Sequence, residues 1–367
     1  MERRARFKND KLAPIRSLWD MWRQRLPLLF NPGSEVTIDE QLVPFKGRCS
    51  FKQYMPKKPA KYGIKIWTAA DVSTSYAWKV SIYTGKSGEA REVDQARRVV
   101  LELLEDMTGI TVTCDNFFTS YQLGQELLKK KVTLVGTIRK NKPELPPQLL
   151  DVKRRDVLSS VFAFTSNTTA VSYMPKKGKN VLLISTKHRQ PAVEEGPKKK
   201  PKMITDYNHC KGAVDTLDQL VHNFSCQRRS RRWPLTLFFN MLDISANNAY
   251  IIFTHVDPSW NEGKRVRRRL FLQALATALT SPVIMRRQTL PRIPQSSALV
   301  KEMQSTAHGS AAFQSEHREE ELPPNLPAEK RRTCKMCKNR TFNTCVSCGH
   351  PIWQEHRAIS CQSCIQK

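Results

Sequence analysis

Along the first 140 residues the apolar positions change period several times, and each change marks an element. The stretches SEVTIDEQLVPF at 34–45, KYGIKIWTAAD at 61–71 and YAWKVSIYTG at 76–85 carry the short apolar runs and alternation of pleated strands, and together they predict an antiparallel meander. In DQARRVVLELLEDMTG, 94–109, the spacing becomes helical through Ala96, Val99, Val100, Leu103, Leu104 and Met107, and Gly109 closes the helix. Thr111, Val112, Thr113 and Cys114 then suit a half-buried pleated surface, and Asp115-Asn116 marks that strand's end. A helix around SYQLGQELLKKK at 120–131 and a strand VTLVGTI at 132–138 complete the order βββαβαβ.

That order matches a ribonuclease H-like domain, so the expected class is α/β, with residues 35–140 and 204–225 forming the catalytic domain. Between its two parts, residues 141–203 carry the strand-like segments DVLSSVFAF, TAVSYMP and NVLLIST and read as an insertion domain, mostly β. Residues 226–300, with apolar LTLFFNMLDI and LFLQALATAL, read as helices. From 301 to 330 aromatic and β-branched residues give way to Ser, Glu and Pro, the composition of a flexible linker, and residues 331–367 form a tethered cysteine-rich module. No repeat of 20 to 50 residues recurs.

Charge narrows the partners. Sixty-one Lys and Arg against 33 Asp and Glu leave the 367 residues at +28, which favours a polyanion, nucleic acid before membrane. The longest apolar stretch, Trp233 to His255, contains Pro234, Asp243 and three Asn, and so fits a buried helix better than a membrane span. MERRARFKND has no apolar core of a secretory signal, and the chain reads as intracellular. QRRSRRWP at 227–234 and KRVRRR at 264–269 supply candidate phosphate contacts: Arg228, Arg229, Arg231 and Arg232, then Lys264, Arg265, Arg267, Arg268 and Arg269. The competing reading of these runs is a solvated basic helix end with Trp233 in the core. PKKKPK at 197–202 and EKRR at 329–332 resemble nuclear-import signals.

Six of the ten cysteines fall between 334 and 364, in the pairs CKMC, CVSC and CQSC, with His350 and His356 between the second and third pair. Two-residue spacing lets both thiolates of a knuckle reach one ion, and eight ligands suit two tetrahedral Zn²⁺ sites, a staple that so short a tail needs in order to fold. An interleaved cross-brace is one pairing: Cys334, Cys337, His350 and His356 on one ion, Cys345, Cys348, Cys361 and Cys364 on the other. Disulfides are disfavoured without a secretory signal. A RING-like ubiquitin ligase is a further reading of eight such ligands, although the spacings are short for one.

The acids carry the candidate catalysis. Alone, Asp115 could simply turn the chain or cap a helix begun by Thr119 and Ser120. In the inferred domain, however, Asp39 on the first strand and Asp115 at the end of the fourth sit on neighbours whose carboxylates can share a divalent cation. KGAVDTLDQL at 211–220 adds Asp215 and Asp218, three residues apart on one helical face. Carboxylates so crowded repel unless cations lie among them, and oxygen ligands favour Mg²⁺ or Mn²⁺.

Taken together, TIDEQLVPFKGRCSFKQYMPKKPAKYGIKIW at 37–67, TCDNFFTS at 113–120, VGTIRKNK at 135–142, YNHCKGAVDTLDQ at 207–219, RRWP at 231–234 and the cysteine-rich tail resemble the piggyBac transposase family over essentially the whole chain. The resemblance implies a cut-and-paste DNA transposase whose DDD acids are here Asp39, Asp115 and Asp215, with Asp218 an additional acid. It further implies double-stranded transposon ends as substrate, a TTAA target, a nuclear location, and a homodimer built on a helical domain made of residues 1–34 and 226–300. Three departures qualify it. Only RFKNDKLAPIRSLWDMWRQRL precedes the first acidic strand where the family has a long N-terminal portion, so exposed apolar faces are expected. Trp353 stands where the family has a zinc-binding cysteine, a place His350 could fill. Ala213 and Phe117 replace a glycine and a tryptophan. Two functions follow: an active metal-dependent transposase, or a domesticated or truncated derivative that binds DNA or chromatin without transposing.

Overall fold

The computed structural model describes residues 10–85, 92–153 and 155–309, together with 332–333 and 340–341. The chain divides into two compact units, Met1–Ala276 and Thr277–Lys367. In the first unit helix α1 (Arg16–Leu29) precedes strands β1 (Glu35–Pro44), β2 (Gln53–Tyr54), β3 (Tyr62–Asp71) and β4 (Ala77–Ile82). Helix α2 (Gln95–Leu103), β5 (Thr111–Cys114), α3 (Tyr121–Lys129) and β6 (Thr133–Thr137) follow, in the βββαβαβ order expected once the two-residue β2 is set aside. A one-turn helix α4 (Pro147–Leu150) leads to β7 (Ser160–Phe164), β8 (Thr169–Lys176) and β9 (Lys179–Ser185), and then to helices α5 (Lys202–Cys210), α6 (Ala213–Asn223) and α7 (Trp233–Val256).

All nine strands join one mixed sheet in the order β2-β3-β1-β5-β6-β9-β8-β7, with β4 also on β3. β1 runs antiparallel to β3 and parallel to β5, and β5 runs parallel to β6. The three strands expected in residues 141–203 are present. They do not stand apart as a separate layer, because β9 pairs antiparallel with β6 through Val135–Ser185, Gly136–Ile184 and Thr137–Leu183.

Period-two alternation fixes which residues face which helices. Val36 and Ile38 of β1, Val112 and Cys114 of β5, and Leu182 and Ile184 of β9 enter one core with Val99, Val100 and Leu103 of α2 and Leu123 and Leu127 of α3. The odd-numbered neighbours face the opposite side. There Leu183 packs with Met203 and Ile204 of α5, and the Thr37 hydroxyl donates to the Cys210 carbonyl at the end of α5 over 2.7 Å. α6 lies over β1 and β3, with Ala213 and Val214 against Ala70, and Leu217 and Val221 against Ala77.

The 233–255 stretch is the single helix α7, and its Asn240, Asp243 and Asn248 have protein partners, whereas the side-chain amide of the buried Asn247 has no hydrogen-bond partner among the described residues. Asn248 holds the edge of β4 in both directions, accepting from Ala77 N at 3.1 Å and donating to Ala77 O at 3.0 Å. Asp243 accepts from the Ser225 hydroxyl at 2.5 Å and from Cys226 N at 2.8 Å. Among the described residues no helix is long and apolar enough to cross a membrane. α1 packs through Trp19 and Leu26 with Leu237 and Met241 of α7, and the Trp22 indole donates to Ser245 over 2.9 Å. Leu18, Met21, Leu28 and Leu29 of α1 stay exposed, as do Leu235 and Leu242 of α7.

Helix α8 (Arg267–Met285) begins in the first unit, and the second contains α9 (Pro294–Gly309). α9 runs nine residues into the stretch read as linker, from 301 to 309. Lys, Glu, Met, Gln and Ala there are good helix formers despite their low hydrophobicity. Strands β10 (Arg332–Thr333) and β11 (Arg340–Thr341) pair antiparallel, the first ending one residue before Cys334. All eight zinc-ligand candidates, Cys334 through Cys364, lie outside the described residues, as does Trp353.

Candidate active site

Two strands bring the first two acids together. Parallel pairing of β1 with β5 ends at Ile38 opposite Cys114, so Asp39 is the next residue on β1 and Asp115 the first residue after β5. Both follow the alternation that turns Thr37 and Thr113 toward the α5 and α6 side. The chain after Asp115 is tightly folded. Asp115 Oδ1 accepts from Phe117 N at 2.8 Å, and its carbonyl accepts from Thr119 N at 3.1 Å and from the Thr119 hydroxyl at 2.8 Å. Gly136 makes room for this turn, since a Cβ there would meet Thr119 Oγ1 at 2.2 Å and the Cys114 carbonyl at 2.9 Å. The helix cap is Ser120, whose hydroxyl accepts from Leu123 N at 3.2 Å. Asp115 therefore turns the backbone while its carboxylate also faces Asp39.

Ligand oxygens of Asp39, Glu40 and Asp115, all half-buried, lie within 4.8 Å of one another. Burial foremost, and then the charges of Glu40 and Asp115, push the Asp39 carboxyl up to about 7, although the Glu40 N–H bonded to it over 2.8 Å works the other way. Asp115 is raised too, first by burial and then by Glu40, against the stabilising N–H groups of Phe117 and Phe118. Three crowded carboxylates, with Asp39 and Asp115 held back from ionising, are the donor set of a hard divalent cation, so these residues fit Mg²⁺ or Mn²⁺. Glu40 is not apparent from sequence, because a pleat turns neighbouring side chains to opposite faces. Here β5 has already ended, and the longer glutamate brings its carboxylate round beside Asp39.

Asp215 and Asp218 occupy α6 as the sequence spacing suggests, and both line a cavity of about 360 Å³ with Gln41, Lys58, Asn240 and Asp243. They do not share the Asp39, Glu40 and Asp115 cluster. The Asp215 side chain is 71% exposed and its Oδ1 lies 3.5 Å from Lys58 Nζ. Burial, opposed by a hydrogen bond from Gln41 and by Lys58, pushes Asp218 up to about 6. Lys65 flanks the other side, 3.9 Å from Glu40 Oε2 and 4.8 Å from the ring centroid of Phe117. Neither lysine carries a sequence signal beyond its place in a long basic block.

Of the basic candidates, Arg228, Arg229, Arg231 and Arg232 are exposed. Arg228 and Arg229 flank a groove with Lys46, Tyr62 and His222, and Arg231 closes a basic hollow with Lys46, Arg48 and Lys52. Lys264, Arg265 and Arg269 are exposed as well. Arg267 and Arg268 have structural partners: the Arg267 guanidinium donates to the Pro258 and Asp257 carbonyls at 2.7 and 3.2 Å, just beyond α7. Arg268 donates to the Leu220 carbonyl of α6 at 2.8 Å and lies over the Phe224 ring. Both tie down carbonyls at or near helix C-termini.

The class of protein that fits this chain is a transposase, for the family model described as "Transposase IS4" matches residues 2–250. The chain belongs to the piggyBac family of transposases. A solved structure titled as a cryo-EM synaptic complex of piggyBac transposase with hairpin DNA is 34% identical, with a TM-score of 0.75 over 98% of this chain and 76% of that one. Human PiggyBac transposable element-derived protein 3 is 23% identical over 287 residues, 73% of this chain and 48% of the relative. Human PiggyBac transposable element-derived protein 2 is 23% identical over 238 residues, 58% and 39% of the two chains. The chain thus spans about half the length of the first of these curated relatives.

Proposed function

We propose that the protein is a metal-dependent DNA strand-cleaving and strand-joining enzyme of the cut-and-paste transposase type, built on a ribonuclease H-like core. The observation that carries this reading is the convergence of Asp39, Glu40 and Asp115 at the end of β5, on the sheet face that also bears α6. Asp39 and Asp115 would hold Mg²⁺ or Mn²⁺, and Asp215 or Asp218 would supply the further acid. The bound cation would activate water or a DNA 3′-hydroxyl and stabilise the leaving 3′-oxygen. The chain's own part is placement. β1 and β5 fix the two carboxylates, the turn held by Thr119 limits their motion, and the exposed arginines at 228–232 hold the DNA backbone beside them. Transposon ends as substrate, a TTAA target, a nuclear location, a homodimer and a tail holding two Zn²⁺ belong to the same proposal and rest on family resemblance.

The test is nicking of a labelled duplex carrying the flanking element's terminal repeats, with Mg²⁺ or Mn²⁺, by the full chain and its Asp115→Asn variant. We expect nicking that disappears in the variant while DNA binding and zinc content are retained. A second reading, DNA binding without cleavage, is favoured by Asp215 being engaged with Lys58 rather than with the other acids. Bound but uncut DNA under both metals would establish it.

A further inference from the structure

Among the described residues, Lys58 is the cation set between the two groups of acids, and its setting is built. The loop joining β2 to β3 closes on itself: Met55 N donates to the Lys61 carbonyl at 2.7 Å, Lys58 N to the Met55 carbonyl at 3.1 Å and Lys61 N to the Lys58 carbonyl at 3.1 Å. Lys61 takes a left-handed φ of 49° to complete the turn. From this loop the Lys58 side chain, 20% exposed, reaches into the site, where Nζ donates to the Glu40 carbonyl at 3.0 Å and to Asp215 Oδ1 at 3.5 Å. Burial alone would lower its pKa, but the charges of Asp215, Asp218, Asp39 and Glu40 outweigh burial and raise it, so the ammonium stays charged. One side chain therefore answers acids of both groups, and the carboxylate it holds most directly is the one absent from the Asp39, Glu40 and Asp115 cluster.

We propose that the Lys58 ammonium is a resident counter-ion that holds Asp215 away from the Asp39, Glu40 and Asp115 cluster, so that a divalent cation must displace Lys58 before Asp215 can serve as a ligand. The inference rests on the metal-site reading above and adds an order to it: the strand acids bind first, and the helix acid joins by exchanging one cation for another. No covalent step is involved. A positive charge removed from within a few ångströms of carboxylates strengthens their hold on a competing cation by about tenfold or more even in a screened setting.

The experiment is Mn²⁺ titration of the full chain without DNA, reading free Mn²⁺ by electron paramagnetic resonance. Wild type is compared with Lys58→Met, with Lys58→Arg, which keeps the charge, and with Lys187→Met, which removes a lysine paired to Glu35 outside the cluster. Lys58→Met is expected to bind Mn²⁺ about tenfold more tightly, and the other two to match wild type. Adding Asp215→Asn should erase the gain, because the acid that Lys58 restrains is then gone. Unchanged or weaker binding by a folded Lys58→Met chain overturns the proposal. Should that variant not fold, Lys58→Gln replaces it with the same expectation. Wild type that binds no Mn²⁺ overturns the metal-site reading itself and this inference with it, a result distinct from normal binding that ignores Lys58.

Discussion

At the residue scale, Asp39 makes the sharpest statement about pH. Its folded pKa of about 7 lies above the ordinary 3.8, so its ionisation is harder in the folded chain than in the unfolded one. The sign follows: this carboxyl favours the fold fully below the ordinary value, and that contribution is lost as pH rises through about 7. In chelator the thermal midpoint should therefore drift down between pH 5 and pH 8, apart from other groups, and Asp39→Asn should flatten the drift. Mg²⁺ should raise the midpoint more at pH 8 than at pH 5, because the cation competes with the proton for the same oxygens. Equal Mg²⁺ stabilisation at both values would speak against a metal site at Asp39. Asp115 could be picked out in the sequence because β-branched residues lead up to it and Asp115-Asn116 ends its strand, and Asp39 because the order of elements puts it on a neighbouring strand. Glu40, Lys58 and Lys65 could not, because their roles arise where a strand partner stops or a loop folds back, and neither event leaves a periodic trace.

At the scale of elements, two close approaches hold the site in place. Gly136 lets the turn after Asp115 lie against β6, and any side chain there pushes Thr119 and the Cys114 carbonyl outward. Gly136→Ala should cost about 1–3 kcal/mol in denaturant unfolding and reduce metal-dependent nicking beyond that loss, since the displaced turn carries Asp115. Asn248 docks α7 on the edge of β4, and Asn248→Ala should cost about 1–3 kcal/mol by leaving the Ala77 N–H and carbonyl unpaired in a buried place, with the metal affinity unchanged. Pattern reading finds α7 as one buried helix, because its apolar content is high all round. It does not find which polar residue meets which strand edge, since that pairing spans 171 residues of chain. The basic run at 264–269 shows the same limit: sequence ranks its arginines alike, while the fold assigns Arg267 and Arg268 to backbone carbonyls and leaves Lys264, Arg265 and Arg269 exposed.

On the scale of the whole molecule, a charge of +28 should make DNA affinity fall steeply with salt. The double substitution Arg228→Ala and Arg229→Ala should reduce the slope of log affinity against log salt by about two, one for each phosphate no longer neutralised, whereas Arg268→Ala should lower stability and leave that slope alone. Filter binding of one duplex across a salt series separates the outcomes, and an unchanged slope in the double variant would remove 228–229 from the DNA path. The zinc proposed for the tail permits an independent check, for a chelator should then leave the unfolding transition of the first unit in place.

The junction of β6 with β9 reaches beyond architecture. Residues 141–203 look dispensable in a sequence, an excursion between two pieces of a nuclease, and a shortened version of the chain would naturally leave them out. Yet β9 supplies the hydrogen-bonding neighbour of Val135, Gly136 and Thr137, on the flank of β6 away from β5. Excising the excursion would not bare a minimal enzyme. It would expose a row of unpaired backbone groups along an apolar strand one place from Asp115, and a surface of that kind invites chains to add to one another edge to edge. The added strands thus act as a seal on the open side of the sheet, and the smallest soluble version of this protein includes them.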